Sequence, residues 1–549
     1  MATEKKLSPG NTESKEEEMT THDQLHGLKG HGGTWKETLL KESLAAEETQ
    51  SYLATDPYAG FGHYGVFHYL LDLVRDQGRW KRGFSYSKRV EGILEKDQTW
   101  QAKLTVLCLK LLFLLYTPAR WFGHLVEDII NLFLANGGIV KTYFRLLFPT
   151  GRLVILDREH EDYVSLNAAI DPRVAFYTRP PTNAFAGTRY GSKFTADALM
   201  MASKIAYENE KFVRKVVTKV WKMKFKGFFN CWNEFQQRYN TQAFVFTDRA
   251  KNARAIVVAF RGTEPFNTLD WSTDFDFSWL EVPGLGKVHV GFLEALGFGH
   301  RHRLETIAEM DFRARQQRVR PNRAGDKSEV PPDVHVPAEK DKKMRAYFHI
   351  TALVEELMNQ NPNAKLFLTG HSLGGALANL YAALLFYYKE EKLTNNLAAL
   401  YTFGQPRVGD EEYAEFLISN IREESYWRIV YSMDMIPRVP FDDKLFQFKH
   451  AGLCFYFDGR FLETTLNEAP DVNYFTLDPG TVIGHRISGL HDLIRSLFSR
   501  RYGPEFREGW MSIVARFLGL VAPGLAAHMP GNYISAIRLG PAILESKLH

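Results

Sequence analysis

Cysteine is scarce in this 549-residue chain: Cys108, Cys231 and Cys454 stand far apart, with no C-x-x-C spacing. That excludes a disulfide framework and a cysteine-ligated zinc site. An apolar leader is missing too. Met1 to Met19 is polar and charged, so no secretory signal is expected and a reducing, cytosol-facing location follows. The end reads Ser546-Lys547-Leu548-His549, which places the Ser-Lys-Leu tripeptide off the terminus and gives no peroxisomal address. Charge of one sign is lacking. A net charge of +4 supplies no global field to steer a polyanion, and no nucleic-acid partner is expected. No internal repeat and no motif for a cofactor or a metal is visible.

What is abundant is apolar surface. Hydrophobic residues make up 45% of the chain and aromatics 13%, with 40 Phe, which suits a large core, a lipid-facing surface, or both. Leu104 to Tyr116 reads LTVLCLKLLFLLY, broken only by Lys110 and closed by Pro118. It falls short of the ~20 residues of a spanning helix. Trp121, Phe122, Leu125, Val126, Ile129, Ile130 and Phe133 then recur at helical spacing, with His124, Glu127, Asp128 and Asn131 between them. A core helix, a monotopic anchor in a membrane or droplet surface, and a hairpin bent at Pro118 all fit. Each of the seven leucines would contribute roughly 1.5–3 kcal/mol on burial. Lys110 would cost about 2.5–3.5 kcal/mol at a bilayer centre, so it does not exclude lipid insertion.

The chain divides into a polar, disordered tail over 1–50, an extension over 51–160 carrying the apolar helical segment 104–134, and an α/β domain over 161–549. Ala198 to Tyr207 reads as helix, and Gln242 to Thr247, Ala255 to Phe260, Leu366 to Leu368, Ala398 to Phe403 and Arg428 to Ser432 read as strands. Strands alternating with helices indicate a mainly parallel sheet. Lys215, Lys219, Lys222 and Lys226 fall near one face of a helix over Lys211 to Lys226, a solvated face or an anionic-lipid contact. The charged, proline-bearing stretch 313–345 reads as a flexible insertion.

The chemistry is concentrated at Gly370-His371-Ser372-Leu373-Gly374. An apolar strand, Lys365 to Thr369, precedes it, and GALANLYAALLFYY (375–388) follows as helix. This is the setting of a nucleophile elbow, in which the serine sits on a turn so sharp that the flanking positions must be glycine. A serine hydroxyl needs a base, and the base an orienting acid. Asp434, just past the Arg428–Ser432 strand, is the foremost acid, ahead of Asp410, Asp442 and Asp458. The downstream histidines His450, His485, His491 and His528 are not separated by pattern. His371 adjoins the serine on a tight turn, where neighbours point apart, and has no base role. One oxyanion N–H comes from Leu373 and the other from the Phe260-Arg261-Gly262-Thr263 loop. Glu264 to Phe277 has the amphipathic cast of a lid.

MASKIAYENE (201–210), FRGT (260–263), KVHVGFLEA (287–295), LTGHSLGGALANL (368–380), FGQPRVGD (403–410), YSMDMIPRVP (431–440) and HMPGNYISAIRLG (528–540) stand in one order over about 340 residues. In these the chain resembles the class 3, fungal-lipase-like α/β hydrolases that act on triacylglycerol. The resemblance implies an α/β-hydrolase fold. It implies Ser372 as nucleophile, Asp434 as acid, His528 as base, oxyanion donors at Thr263 and Leu373, and a lid after Thr263. The long extension and the ending REGW…AHMPGNY look like the plant oil-body lipases. They imply a triacylglycerol or related acyl-lipid substrate and residence at a lipid-droplet or membrane surface, with no cofactor. A phospholipase A1, galactolipase or partial-glyceride lipase uses the same triad, and an inactive scaffold of this fold is the alternative outside enzymes.

Overall fold

The computed structural model describes residues 100–540 except 149–152, 177–184, 186–191, 234, 235, 237, 266, 268–270, 272–278, 299–342, 441, 443–446, 471–478, 499, 500, 502 and 504–508. The expected polar tail over 1–50, nearly all of the 313–345 insertion and most of the 264–277 segment lie outside the described residues.

Among the described residues, eight strands form one sheet in the order β1 (Lys224–Asn233), β2 (Arg238–Thr247), β3 (Ala255–Phe260), β6 (Lys365–His371), β7 (Leu397–Phe403), β8 (Tyr426–Tyr431), β9 (Cys454–Phe457) and β10 (Glu463–Leu466). A separate hairpin pairs β4 (Trp279–Val282) with β5 (Gly286–His289). β3, β6, β7, β8 and β9 run parallel, and β1–β2, β2–β3 and β9–β10 are antiparallel. The parallel centre is covered on both faces, which is why AIVVAF and LAALYTF are apolar throughout. Successive side chains alternate between two cores. Ile256, Val258 and Phe260 join the helices Val290–Leu296, Ala346–Gln360 and Leu373–Tyr387. Ala255, Val257 and Ala259 face the helices Lys193–Ile205 and Pro530–Leu539. The edge strand β1 alternates half-buried and buried positions and carries two register shifts. The expected strands are all present; β1, β4, β5, β9 and β10 were not foreseen.

Two expectations are corrected. Pro118 does not end the first apolar run: one 36-residue helix spans Trp100–Ala135 with the proline inside. An interior proline costs roughly 3 kcal/mol, and a helix this long keeps its remaining ladder on both sides. The basic stretch is also not a single helix. Helix Glu210–Lys215 passes into a π-turn over Val216–Val220, Lys222 has φ 58°, and Lys226 already belongs to β1. Lys215 and Lys219 pair with Asp162 and Glu161, so neither lies on a common helical face with Lys226.

The Trp100–Ala135 helix docks by its polar side. Asn131, 1% exposed, both donates to the Val164 carbonyl (2.8 Å) and accepts from the Val164 N–H (2.9 Å). Glu127 accepts from the Leu166 N–H (3.1 Å), and Asp128 accepts from the Tyr163 hydroxyl (2.9 Å) and pairs with Arg158 (2.8 Å). Trp121, Phe122, Leu125 and Ile129 point away from the body and are exposed. From residue 111 onward this is not a core helix. Among the described residues, no helix is long and apolar enough to cross a membrane.

Candidate active site

β3, β6 and β8 deliver the site from their C-terminal ends, as the parallel α/β architecture prescribes. β6 stops at His371, and the helix Leu373–Tyr387 starts one residue later. Ser372 occupies the single joint with φ 59° and ψ −135°, a conformation that costs a non-glycine residue on the order of 1–3 kcal/mol. Its N–H donates to the Phe403 carbonyl at 2.9 Å, which ties the joint to β7. A Cβ on Gly370 would overlap the Gly374 backbone, and one on Gly374 would overlap the Phe260 carbonyl. Both glycines are therefore demanded by the turn.

His528 lies 156 positions further along the chain, at the corner between the short helix Pro523–Ala527 and the helix Pro530–Leu539. Asn532 Nδ2 donates to the Ala526 carbonyl at 2.7 Å and holds that corner. His528 Nδ1 is 2.7 Å from Asp434 Oδ2, and Nε2 is 2.8 Å from Ser372 Oγ. A carboxylate only accepts, so Nδ1 carries the proton and the Nε2 lone pair faces the serine hydroxyl.

Asp434 is completely buried, and a carboxylate there needs its hydrogen bonds supplied. Oδ1 accepts from the Ile436 N–H at 2.9 Å, and Oδ2 accepts from His528 and from the Tyr533 hydroxyl. Arg438 donates to the carbonyls of Asp434 and Ser432, fixing the loop behind it. Burial first, then the Asp434 charge, pushes the Tyr533 hydroxyl well above its usual pKa, so it stays a donor.

The other candidates are accounted for elsewhere. Asp410 caps the helix Glu411–Asn420, Asp442 pairs with Lys449 at 2.7 Å, and Asp458 caps its own turn through Arg460 and Leu462. His450 is half-buried, its Nε2 2.7 Å from the Pro437 carbonyl, with its pKa lowered to about 3 by desolvation. His491 is on the exterior of the helix Pro479–Leu497, and His485 belongs to the same helix.

His371 is buried beneath the site. Its Nε2–H donates to the His528 carbonyl at 2.8 Å, so Nδ1 accepts from the Tyr207 hydroxyl at 2.9 Å. Burial, and next the neighbouring His528, hold its pKa well below 6.5. It is a neutral strut under the corner that bears His528. Gly404 is a further position that sequence reasoning missed. With φ +58°, it leaves the space in which a Cβ would stand 2.7 Å from Asp434 Oδ2 and 2.6 Å from the Tyr533 oxygen. All three had a findable signal in the motifs that carry the resemblance: Tyr533 in HMPGNY, Gly404 in FGQPRVGD and Tyr207 in MASKIAYENE.

Thr263 and Leu373 are both buried. The loop leaving β3 lies on the elbow, with Gly262 against Tyr207 and the His371 carbonyl. Arg261 anchors it, its N–H on the Gln242 carbonyl (2.9 Å) and its guanidinium on Glu264 (2.6 Å) and the Asn240 carbonyl (2.7 Å). Leu373, as the first helical residue, has an N–H that the helix itself does not use. The Trp271 ring stands 6.4 Å from the His528 ring, and Ser372 is 1% exposed. A cavity of about 660 Å³ between the N-terminal helix, β1 and Glu264 is lined by charged residues such as Glu127, Arg158 and Arg214 together with Phe225, Phe229 and Leu353, and does not include Ser372, Asp434 or His528. Among the described residues no His, Cys, Asp and Glu cluster suits a metal.

Residues 257–444 match the family model described as lipase (class 3). The chain is 38% identical to the triacylglycerol lipase OBL1 of Nicotiana tabacum, over 81% of this chain and 84% of that one. It is 36% identical to the triacylglycerol lipase OBL1 of Arabidopsis thaliana, over 90% and 96%. The lipase of Rhizomucor miehei is 30% identical over 39% of this chain and 44% of its own.

Proposed function

The chain belongs to the class 3 lipases and is a carboxylic ester hydrolase, and from that premise we propose that it hydrolyses triacylglycerol at a lipid-droplet surface through an acyl-enzyme on Ser372. The observation that carries the reading is His528 bridging Ser372 Oγ and the buried Asp434. Ser372 Oγ attacks the ester carbonyl as His528 Nε2 takes its proton. The N–H groups of Thr263 and Leu373 hold the oxyanion. Collapse expels the diacylglycerol alkoxide, which takes the proton back from Nε2. Water, deprotonated by the same nitrogen, then frees the fatty acid. Asp434 keeps the imidazole in the productive tautomer and stabilises its charged form; Tyr533 and Ile436 keep Asp434 in place.

The closed surface supports a lid that moves. A serine this buried admits a triacylglycerol only after Trp271, beside His528, shifts. The outward-facing Trp121, Phe122, Leu125 and Ile129, with Ile139, Val140, Tyr143 and Phe144 on the next helix, support attachment to lipid. A droplet has an apolar interior and no second aqueous side, so a helix lying in its surface suffices. Assaying the purified chain side by side on emulsified triacylglycerol, phospholipid and galactolipid tests the substrate. A preference for phospholipid or galactolipid would replace the triacylglycerol reading.

A further inference from the structure

Two helices near the C-terminus are built inside out. In Pro479–Leu497 the residues Ile483, Ile487, Leu490, Ile494 and Leu497 repeat at intervals of four and three, one stripe of a helix, and all are exposed, Ile487 by 61%. Asp492 and Arg495 face the protein, while Arg486 stays exposed and donates to the Leu520 carbonyl at 2.6 Å. Arg495, 5% exposed, pairs with Asp492 at 2.5 Å and donates to the Tyr431 hydroxyl at 3.0 Å and the Gly459 carbonyl at 2.5 Å. The helix Trp510–Gly519 packs alongside and repeats the pattern. Trp510, Val514 and Phe517 point outward, and Val521 continues the stripe at 74% exposure. Arg516 points inward to Asn532 Oδ1 at 2.9 Å.

An aqueous surface selects the opposite arrangement, with charge outside and apolar residues inside. Contiguous apolar patches on a soluble exterior mark interaction sites. The stripe runs on through Val521 to Leu525, 42% exposed and three residues before His528. The inward charges brace the same corner, since Asn532 holds the Ala526 carbonyl beside His528. The N-terminal helix carries the same reversed polarity. We propose that the outward face of Pro479–Leu497 and Trp510–Gly519, continuing to Leu525, is a lipid-docking platform that seats an acyl-lipid surface beside His528. It rests on the reading of this site as one that takes its ester from a lipid surface. A tryptophan at the rim and aliphatic side chains across the face are what an interfacial helix pair presents to acyl chains. The N-terminal helix then retains the enzyme, and the C-terminal pair aims it.

The test uses the full chain carrying Ser372→Ala, so that binding is read without turnover, and triolein droplets coated with phosphatidylcholine. Adding Ile487→Asp, Val514→Asp and Phe517→Asp should weaken droplet flotation by roughly tenfold or more, the scale of losing buried apolar side chains. In the chain with Ser372 intact, the three aspartates should cut emulsified triacylglycerol hydrolysis by a similar factor. Hydrolysis of monomeric p-nitrophenyl butyrate should stay within about twofold, because none of the three residues touches the triad. A second measurement does not depend on the aspartates folding. Ile487→Cys in a Cys108→Ser background, labelled with an environment-sensitive fluorophore while Cys231 and Cys454 stay buried, should shift to the blue when droplets are added. Unchanged flotation with an unshifted label overturns the proposal. So does a label already in apolar surroundings without lipid. If that signal falls on dilution, the occupant is a second copy of the chain; if it does not, other residues of the same chain cover the face. A blue shift from a chain that hydrolyses no ester would preserve the platform and defeat the catalytic reading.

Discussion

The helices Leu373–Tyr387 and Trp100–Ala135 are both rich in leucine and use it in opposite directions. In the first, Leu373, Leu377, Leu380 and Leu384 are buried between β6 and its neighbours, and the polar Asn379 is satisfied inside by Tyr413 and Tyr426. In the second, the polar Asn131 is 1% exposed and Trp121 is 68% exposed. Hydrophobicity alone did not place either helix. The difference lies in where hydrogen-bond partners are offered. The Asp157–Leu166 segment presents carbonyls, N–H groups and Arg158 to the N-terminal helix, so its polar stripe is the one that docks, and an apolar stripe is left outside. One helix opens on the turn that bears Ser372; the other leaves an apolar stripe exposed.

The sharpest way to break this contrast is at the turn itself. Ser372→Ala should abolish ester hydrolysis by about a millionfold with the fold intact. His528→Ala should match it, and the double variant should be no worse, because the two act as a unit. Residual activity above a few per cent of the native rate in a pure preparation would assign the nucleophile elsewhere. Asp434→Asn should cost on the order of 10⁴ in kcat through the wrong His528 tautomer. His491→Ala, changed on the outer helix, should keep most activity.

On the other side of the comparison, Trp121→Asp with Phe122→Asp should release the chain from droplets by roughly tenfold or more and leave the melting temperature nearly unchanged. Leu380→Asp should instead prevent folding, since an unpaired carboxylate would be buried. If the two exterior aspartates also destroy the fold, the outward face is a core face in solution, and the contrast collapses.

A smaller effect tests the strut beneath the triad. Tyr207→Phe removes the donor to His371 Nδ1 and leaves a buried acceptor unpaired, a penalty of about 1–3 kcal/mol. We expect kcat to fall several-fold with KM unchanged, through looser placement of His528. An equal fall in stability with no change in kcat would make Tyr207 structural only.

The smallest expected effect concerns pH. Burial raises Glu208 from the ordinary 4.5 to about 7, while it accepts from the Ser165 N–H and hydroxyl. Its folded pKa is above its unfolded one, so the folded state holds the proton longer. Stability is therefore highest below the unfolded value and is lost as pH rises from about 4.5 to about 7. Lys204 beside it, pushed down to about 8 by burial, remains charged across that window. Glu208→Gln should flatten the slope, and its melting temperature relative to the native chain should rise between pH 5 and pH 8. Parallel curves would show that Glu208 is ionised in the folded chain throughout.

Much of the fold was legible because its signals are local. The parallel strands are continuous apolar runs, and the elbow needs glycine within two residues of Ser372 on either side. β1 was missed because KFKGFFNCWN mixes lysines with a glycine and two register shifts, and strand pairing there is a property of β2, not of the segment. Pro118 misled because a proline is a strong local stop, while the docking of the helix's polar stripe is a non-local gain.

The sequence by itself determined the strand–serine–helix turn at Ser372, the apolar strands of the parallel core and the two segments rich in apolar residues, since each depends on residues within one element. It left four downstream histidines equal on pattern, and it left the N-terminal helix open between core and surface. Only the tertiary structure decided which histidine stands 2.8 Å from Ser372, that Tyr533 and Gly404 shape the room around Asp434, and that Asp492, Arg495 and Arg516 on the outer helices turn inward. Those are facts of distance between residues far apart in the chain. Side-chain pattern records which face of a helix is apolar, but only the neighbouring elements decide which face is given to the protein and which to the outside.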